Sequence, residues 1–166
     1  ESWGNTTPKE RSEVLILIAN IIEANKEVLG VIESANTGKP TAVAEDDVAS
    51  SIDAFRLMAG AASTLTALPS EDHVAGHTSV LMREPVGVVG VITPWNYALA
   101  LAAMDVIPAL AAGCAVVQKA DDQGALTILA LRRAFIDAGV PEALWAVVAG
   151  PSAEVGEALT DEVDYI

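Results

Sequence analysis

Val86-Gly87-Val88-Val89-Gly90-Val91-Ile92, followed by Thr93-Pro94-Trp95-Asn96 and an Ala- and Leu-rich run from Ala98 to Leu110, decides the fold. The first seven residues are apolar, β-branched and glycine-spaced, which predicts a strand buried on both faces of a parallel sheet. Thr93 to Asn96 reads as a turn. Ala98 to Leu110 reads as a helix, ended at Ala112-Gly113 because glycine takes the left-handed conformation of a helix terminus without steric cost. Cys114 to Lys119 is a second buried strand. Strand, helix and strand joined by short turns make a βαβ unit. Ligands of such units sit beyond the carboxyl ends of the strands. Here those ends carry Thr93 to Asn96 and Lys119 to Asp122.

Working outward, the C-terminal side continues the alternation. Gly124 to Ala138 is a helix stopped by Gly139 and Pro141, and Leu144 to Ala149 is a third strand. Gly150-Pro151-Ser152 turns into a helix from Ala153 to Leu159, and Val163 to Ile166 begins a fourth strand. Strict alternation of β and α implies a parallel sheet with helices on both faces. The N-terminal side is helical. Thr7-Pro8-Lys9-Glu10 is a helix start, with a capping hydroxyl and proline at the first helical position. Val14, Leu15, Ile18, Ile21 and Ile22 then form one apolar face, and this helix is expected to reach Leu29. A short helical piece follows from Val31 to Thr37. A third helix is expected from Thr41 to about Leu68. Pro69 to His77 is polar and turn-rich, and Thr78 to Arg83 fits an edge strand or hairpin arm. The fourth strand barely begins at Ile166, so sequence beyond both termini is expected.

Composition narrows the function. The chain has 166 residues, is 52% hydrophobic and carries a formal net charge of −14. That hydrophobicity rules out a disordered chain. The acidity argues against nucleic acid or an anionic membrane as partner, because both need a basic face. Ala98 to Val117 is broken by Asp105, Pro108 and Gly113 and makes a poor membrane span. A single cysteine forms no internal disulfide, and no signal peptide is visible, so a cytoplasmic location is expected.

Taken from their own surroundings, the candidate residues each admit two readings. Asn96 lies where a strand meets a helix: it either caps the helix or donates its amide to a developing oxyanion. Lys119, with Asp121 and Asp122, is either a solvated strand end or a donor and acceptor set for ribose hydroxyls. Gly150-Pro151-Ser152 is either a tight turn or a place where a ligand approaches the backbone. No G-x-G-x-x-G is present, so the usual dinucleotide fingerprint is missing. Cys114 reads as a small buried hydrophobe rather than a nucleophile. His73 and His77 read as loop residues, since nothing nearby completes a metal site.

Several motifs then resemble one family. Arg83-Glu84-Pro85-Val86-Gly87-Val88-Val89, Thr93-Pro94-Trp95-Asn96-Tyr97, Pro108 to Cys114 leading to Lys119, Ala138-Gly139-Val140-Pro141, and Gly150-Pro151 with Val155-Gly156 resemble the aldehyde dehydrogenase superfamily. So do Trp3, Glu10-Arg11 and Thr37-Gly38-Lys39-Pro40. The resemblance covers essentially the whole chain. It implies an α/β fold in which N-terminal helices precede a Rossmann-like parallel sheet, here incomplete. Residues 1–77 would be the helical part of the cofactor domain, 78–84 an arm of the oligomerisation hairpin, and 85–166 the nucleotide-binding part, truncated at its C-terminal end.

The resemblance also implies NAD(P)-dependent oxidation of an aldehyde to an acid. In the family a cysteine thiolate attacks the aldehyde, hydride passes to the nicotinamide, and water hydrolyses the thioester. Asn96 matches the oxyanion-stabilising asparagine. Ile92, Thr93, Pro94 and Trp95 match positions lining the cofactor, Lys119 the lysine at the adenosine ribose, and Gly150 and Gly156 the turn and helix beside adenine. Asp122 falls where many NAD-preferring members have glutamate, so NAD is expected, with NADP possible. The nucleophilic cysteine and general-base glutamate are expected beyond residue 166, leaving this span inactive alone. Three departures stand out: Lys119-Ala120-Asp121-Asp122 where Lys-Pro-Ser-Glu is usual, Ala98 for a proline, and Ser152 for a common glycine. The Trp-Asn-Tyr stretch, Met104-Asp105 and Val163 to Ile166 resemble succinate-semialdehyde dehydrogenases, and Gly76-His77-Thr78-Ser79 resembles aminoaldehyde dehydrogenases. A small semialdehyde is therefore the expected substrate, and a homodimer or homotetramer the expected assembly. The competing expectation is a short non-catalytic relative that binds nucleotide or a partner.

Overall fold

A computed structural model describes residues 3–65 and 71–166. It opens with three helices, α1 (Pro8–Ala24), α2 (Lys26–Thr37) and α3 (Thr41–Ser63). The start of α1 is as expected: Thr7 accepts from the Glu10 N–H while Glu10 reaches back to the Thr7 N–H at 2.7 Å, a reciprocal cap. The Glu10 carboxylate accepts from both the Thr7 N–H and, at 2.8 Å, the Thr7 hydroxyl, and these two bonds hold its pKa below the ordinary value.

The break after α1 differs from the expected one. It falls at Asn25, not near Gly30. The Asn25 side chain donates to the Ile21 carbonyl at 2.8 Å, offering the helix end a partner in place of the next turn. Gly30 instead lies buried inside α2. A side chain there would meet Cγ of Glu45 on α3 at 3.2 Å, so the glycine serves close helix packing. The third helix stops at Ser63, earlier than Leu68, and residues 66–68 lie outside the described residues.

A hairpin follows, β1 (Glu71–Val74) antiparallel to β2 (His77–Ser79). Its first arm occupies part of the stretch read as turn-rich, and the turn itself is Ala75-Gly76. The second arm ends at Ser79, short of Arg83.

The alternating half is as expected, with shifted ends. The elements are β3 (Val88–Thr93), α4 (Ala98–Ala111), β4 (Ala115–Ala120), α5 (Ala125–Asp137), a 3-10 turn (Glu142–Leu144), β5 (Trp145–Val148) and α6 (Ser152–Glu162). The three strands are parallel in the order β3-β4-β5. The fourth strand is present only as a parallel bridge between Tyr165 and Val89, with the Gly90 N–H donating to the Tyr165 carbonyl at 2.7 Å. Both faces of the sheet are covered. Gly90 faces Leu159 of α6, and its neighbour Val91 joins the main core with α4.

That core joins the two halves. Phe55 of α3, Phe135 of α5 and Trp145 of β5 form a chain of tilted rings, with centroids 5.5 and 4.7 Å apart. The N-terminal residues tie down the far end of α4. The Trp3 indole donates to the Leu110 carbonyl at 2.9 Å, and buried Arg11 donates to the Ala111 carbonyl at 2.8 Å. A cation at a helix C-terminus also meets the negative end of the helix dipole. These contacts set the position of α4, and hence of the turn that precedes it.

Candidate functional site

Parallel register brings the strand ends level. Thr93 pairs with Ala120, Ile92 with Lys119, and Lys119 with Val148. The turns after β3, β4 and β5 therefore emerge side by side along one edge of the sheet.

After β3, Thr93 points inward and is buried, while Ile92 is 48% and Trp95 42% exposed. Pro94 and Asn96 are also exposed. The cap position of α4 is Tyr97, one residue past Asn96, and no side chain caps that helix. Asn96 is thus not the cap its surroundings allowed, and its amide stays available. A close approach fixes this turn from behind. A side chain on Gly124 would meet Cβ of Ala98 at 2.7 Å and Cα of Trp95 at 3.3 Å, so only glycine lets α5 begin there.

Thr93 is held by a polar chain crossing the sheet. Gln118 donates to the Thr93 hydroxyl at 2.8 Å, and the Trp145 indole donates to the Gln118 carbonyl oxygen at 3.1 Å. All three residues are buried, so each polar group needs the others. Neither Gln118 nor Trp145 was legible as part of the site. The partners lie 25 and 27 residues apart, and only the strand order brings them together.

After β4, Lys119 is only 3% exposed, against the solvated strand end that its neighbours suggested. Its ammonium donates to the Ser152 hydroxyl at 3.0 Å. It forms no ion pair among the described residues. A buried ammonium with a neutral partner is an incompletely compensated charge. Asp122 accepts from the Gly150 N–H at 3.2 Å, pinning the turn after β5. Gly150 has φ of 144°, a conformation that favours glycine, and a side chain there would strike Val155 at 2.9 Å. Around Gly156, in the second turn of α6, a side chain would meet nothing within 4 Å, so the glycine leaves open space.

The edge thus gathers Ile92, Pro94, Trp95, Asn96, Lys119, Asp122, Gly150 and Ser152, with Gly156 one helical turn on. Its chemistry is amide and ammonium donors beside open, glycine-lined backbone. That combination suits a ligand with hydroxyls and phosphates, and the uncompensated ammonium fits a dinucleotide. Cys114 is buried before β4, at the opposite end of the strand from Lys119. His77 sits on the hairpin with a ring nitrogen 3.3 Å from the Ala75 carbonyl. The His73 side chain lies outside the described residues, and among the described residues no cluster of three metal-ligating side chains occurs. No described helix is long and apolar enough to cross a membrane.

Across residues 1–166 the chain matches the model described as the aldehyde dehydrogenase family. It is 41% identical to an aldehyde dehydrogenase of Vibrio cholerae, over 96% of this chain and 31% of that protein. It is 37% identical to the mitochondrial succinate-semialdehyde dehydrogenase of Arabidopsis thaliana, over 95% of this chain and 30% of that one. Among solved structures, the betaine aldehyde dehydrogenase of Staphylococcus aureus in complex with NAD+ superposes with a TM-score of 0.90 at 31% identity, over 95% of this chain and 31% of that one. The chain spans about a third of the length of the relatives it matches.

Proposed function

The chain belongs to the aldehyde dehydrogenase family, and on that premise we propose that it supplies the nucleotide edge and the oxyanion donor of an enzyme oxidising a small semialdehyde with NAD. The observation that carries the reading is Lys119: a buried ammonium, at the carboxyl end of a central strand, whose partner among the described residues is one neutral hydroxyl. Burial without a counter-charge is costly unless a ligand completes the site. When bound, the dinucleotide supplies the hydride acceptor.

The residues divide the work. Lys119 donates to the adenosine ribose. Asp122 holds the Gly150 turn, and its negative charge beside the ribose favours NAD over the 2′-phosphate of NADP. Gly150 and Gly156 leave a flat surface for adenine. Ile92, Thr93, Pro94 and Trp95 line the path toward the reacting end, with Thr93 held rigid by Gln118 and Trp145. Asn96 donates its amide to the oxyanion that forms on the aldehyde oxygen when the thiolate adds to the carbon, where one fixed donor removes about 3 kcal/mol or more from a barrier. The attacking thiolate and the general base come from residues outside this span. The parts of the chain follow the same division: 1–77 buttress the nucleotide edge, 78–84 contribute an arm through which subunits pair as a homodimer or homotetramer, and 85–166 form that edge.

The test is steady-state kinetics of the full-length protein against a panel of aldehydes with NAD and NADP. A preference for a small semialdehyde with NAD supports the reading. A clear preference for long aliphatic aldehydes overturns the substrate, and no oxidation with either dinucleotide overturns the activity. A stable monomer by light scattering at micromolar concentration overturns the pairing.

A further inference from the structure

The geometry assigns Ser152 a positioning role: its hydroxyl fixes the Lys119 ammonium in the direction from which it meets the dinucleotide ribose. The inference rests on the nucleotide-binding reading above and adds to it a residue at which this chain departs from the family's common glycine.

Three observations carry it. First, Lys119 Nζ donates to Ser152 Oγ at 3.0 Å, across 33 residues of sequence. A lysine ammonium is a point charge on a flexible four-carbon stem with three donors. One donor held by Ser152 leaves two, in a fixed arrangement. Second, the backbone that carries Ser152 is held independently of Lys119. In the turn after β4, Asp122 accepts from the Gly150 N–H at 3.2 Å, and Ser152 is the first residue of α6. The serine therefore does not follow the lysine elsewhere. Third, Ser152 is exposed whereas Lys119 is buried. The hydroxyl accepts from the ammonium and keeps its own proton to donate outward, toward the side a ligand enters. A glycine at this position would leave the buried ammonium without that partner and free to adopt several directions.

Fixing a donor before binding lowers the entropy cost of ligand capture. It touches no reacting atom, so it acts on nucleotide affinity and not on the chemical step. The experiment uses the full-length protein with three forms: wild type, Ser152→Ala and Ser152→Thr. Threonine keeps the hydroxyl, and at this exposed position its methyl has room. The readouts are the Kd for NADH, by fluorescence titration, and KM and kcat for NAD and NADP in aldehyde oxidation. Ser152→Ala is expected to raise Kd and both KM values about fivefold, the size of one typical net hydrogen bond, with kcat changed less than twofold. Ser152→Thr is expected to restore at least half of the loss on a logarithmic scale. The proposal is overturned if Ser152→Ala binds NADH within twofold of wild type, if threonine falls as far as alanine, or if kcat falls while KM holds. If wild type binds NADH yet oxidises no aldehyde, the enzymatic reading fails while the NADH titrations still decide the role of Ser152. If wild type binds no dinucleotide, both fail.

Discussion

Two lysines, half-buried Lys39 in one half of the molecule and buried Lys119 in the other, have opposite surroundings. In the helical half, Lys39 sits between α2 and α3. It donates to Glu33 at 2.6 Å and to Asp47 at 2.5 Å, and lies 5.1 Å from the centre of the Tyr97 ring. Burial alone pulls its pKa down, but the hydrogen bonds and charges of Asp47 and Glu33 outweigh that and raise it. In the sheet half, Lys119 has one neutral hydroxyl as its side-chain partner among the described residues. The first lysine is enclosed by its own chain. The second is buried with donors to spare. A charge compensated within the fold belongs to stability, and on the function proposed above the one left partly uncompensated at the carboxyl edge of the parallel sheet awaits a ligand. Glu33 shows what compensation asks for: it is fully buried, and one of its oxygens has no partner in the protein. The corner therefore depends on Lys39 staying in place.

The largest expected separation of the two regions comes from Asn96→Ala. It should lower kcat of the full-length enzyme by about 100- to 1,000-fold, the usual cost of one oxyanion donor. Its melting temperature should not move, because Asn96 is exposed and caps nothing. A kcat loss under threefold would remove Asn96 from the chemistry.

Lys39→Met makes the opposite cut. It strands two carboxylates, one of them fully buried, and is expected to cost about 3 kcal/mol of stability. Denaturant unfolding measures this, and the NADH Kd should stay within twofold of wild type. A neutral effect on stability would mean that the corner relaxes without its cation.

Asp122→Ser should act on cofactor choice, besides releasing the Gly150 turn. Removing a charge beside the ribose is expected to shift the NAD to NADP ratio of kcat/KM toward NADP by about tenfold, the equivalent of 1.4 kcal/mol. An unchanged ratio would leave Asp122 as a support for Gly150 only.

The smallest effect is the pH dependence of the Lys39 corner. A raised folded pKa means that the stabilisation is complete below the ordinary lysine value near 10.5 and is lost as pH rises through the raised value. Wild type should therefore lose stability above pH 10.5 faster than Lys39→Met does. Parallel losses in the two forms would show that the corner does not titrate in that range.

The sheet half was legible because its signals are local. Short β-branched runs, glycine-ended helices and turns at the strand ends each read within ten residues or so, and they located the edge at Thr93 to Asn96 and Lys119 to Asp122. What was not legible came from contacts between distant segments. The break at Asn25 depends on an amide reaching back to Ile21, and the glycine that drew attention, Gly30, serves packing against Glu45. Thr93 depends on Gln118 and Trp145, which carry no sign of each other in the sequence. The burial of Lys119 was hidden by its acidic neighbours, since Asp122 turns to Gly150 and away from an ion pair with it. The hydroxyl of Ser152 has no local reason to be there at all.

Lys119→Met tests the contrast most directly, by thermal unfolding of the full-length protein with and without NAD. A buried charge with incomplete compensation costs stability until its ligand arrives. Without nucleotide, Lys119→Met should melt at the same temperature as wild type or higher, and a fixed concentration of NAD should raise the melting temperature of wild type more than that of the variant. The account is contradicted if Lys119→Met melts several degrees lower without nucleotide, as Lys39→Met is expected to, and NAD then raises both forms equally.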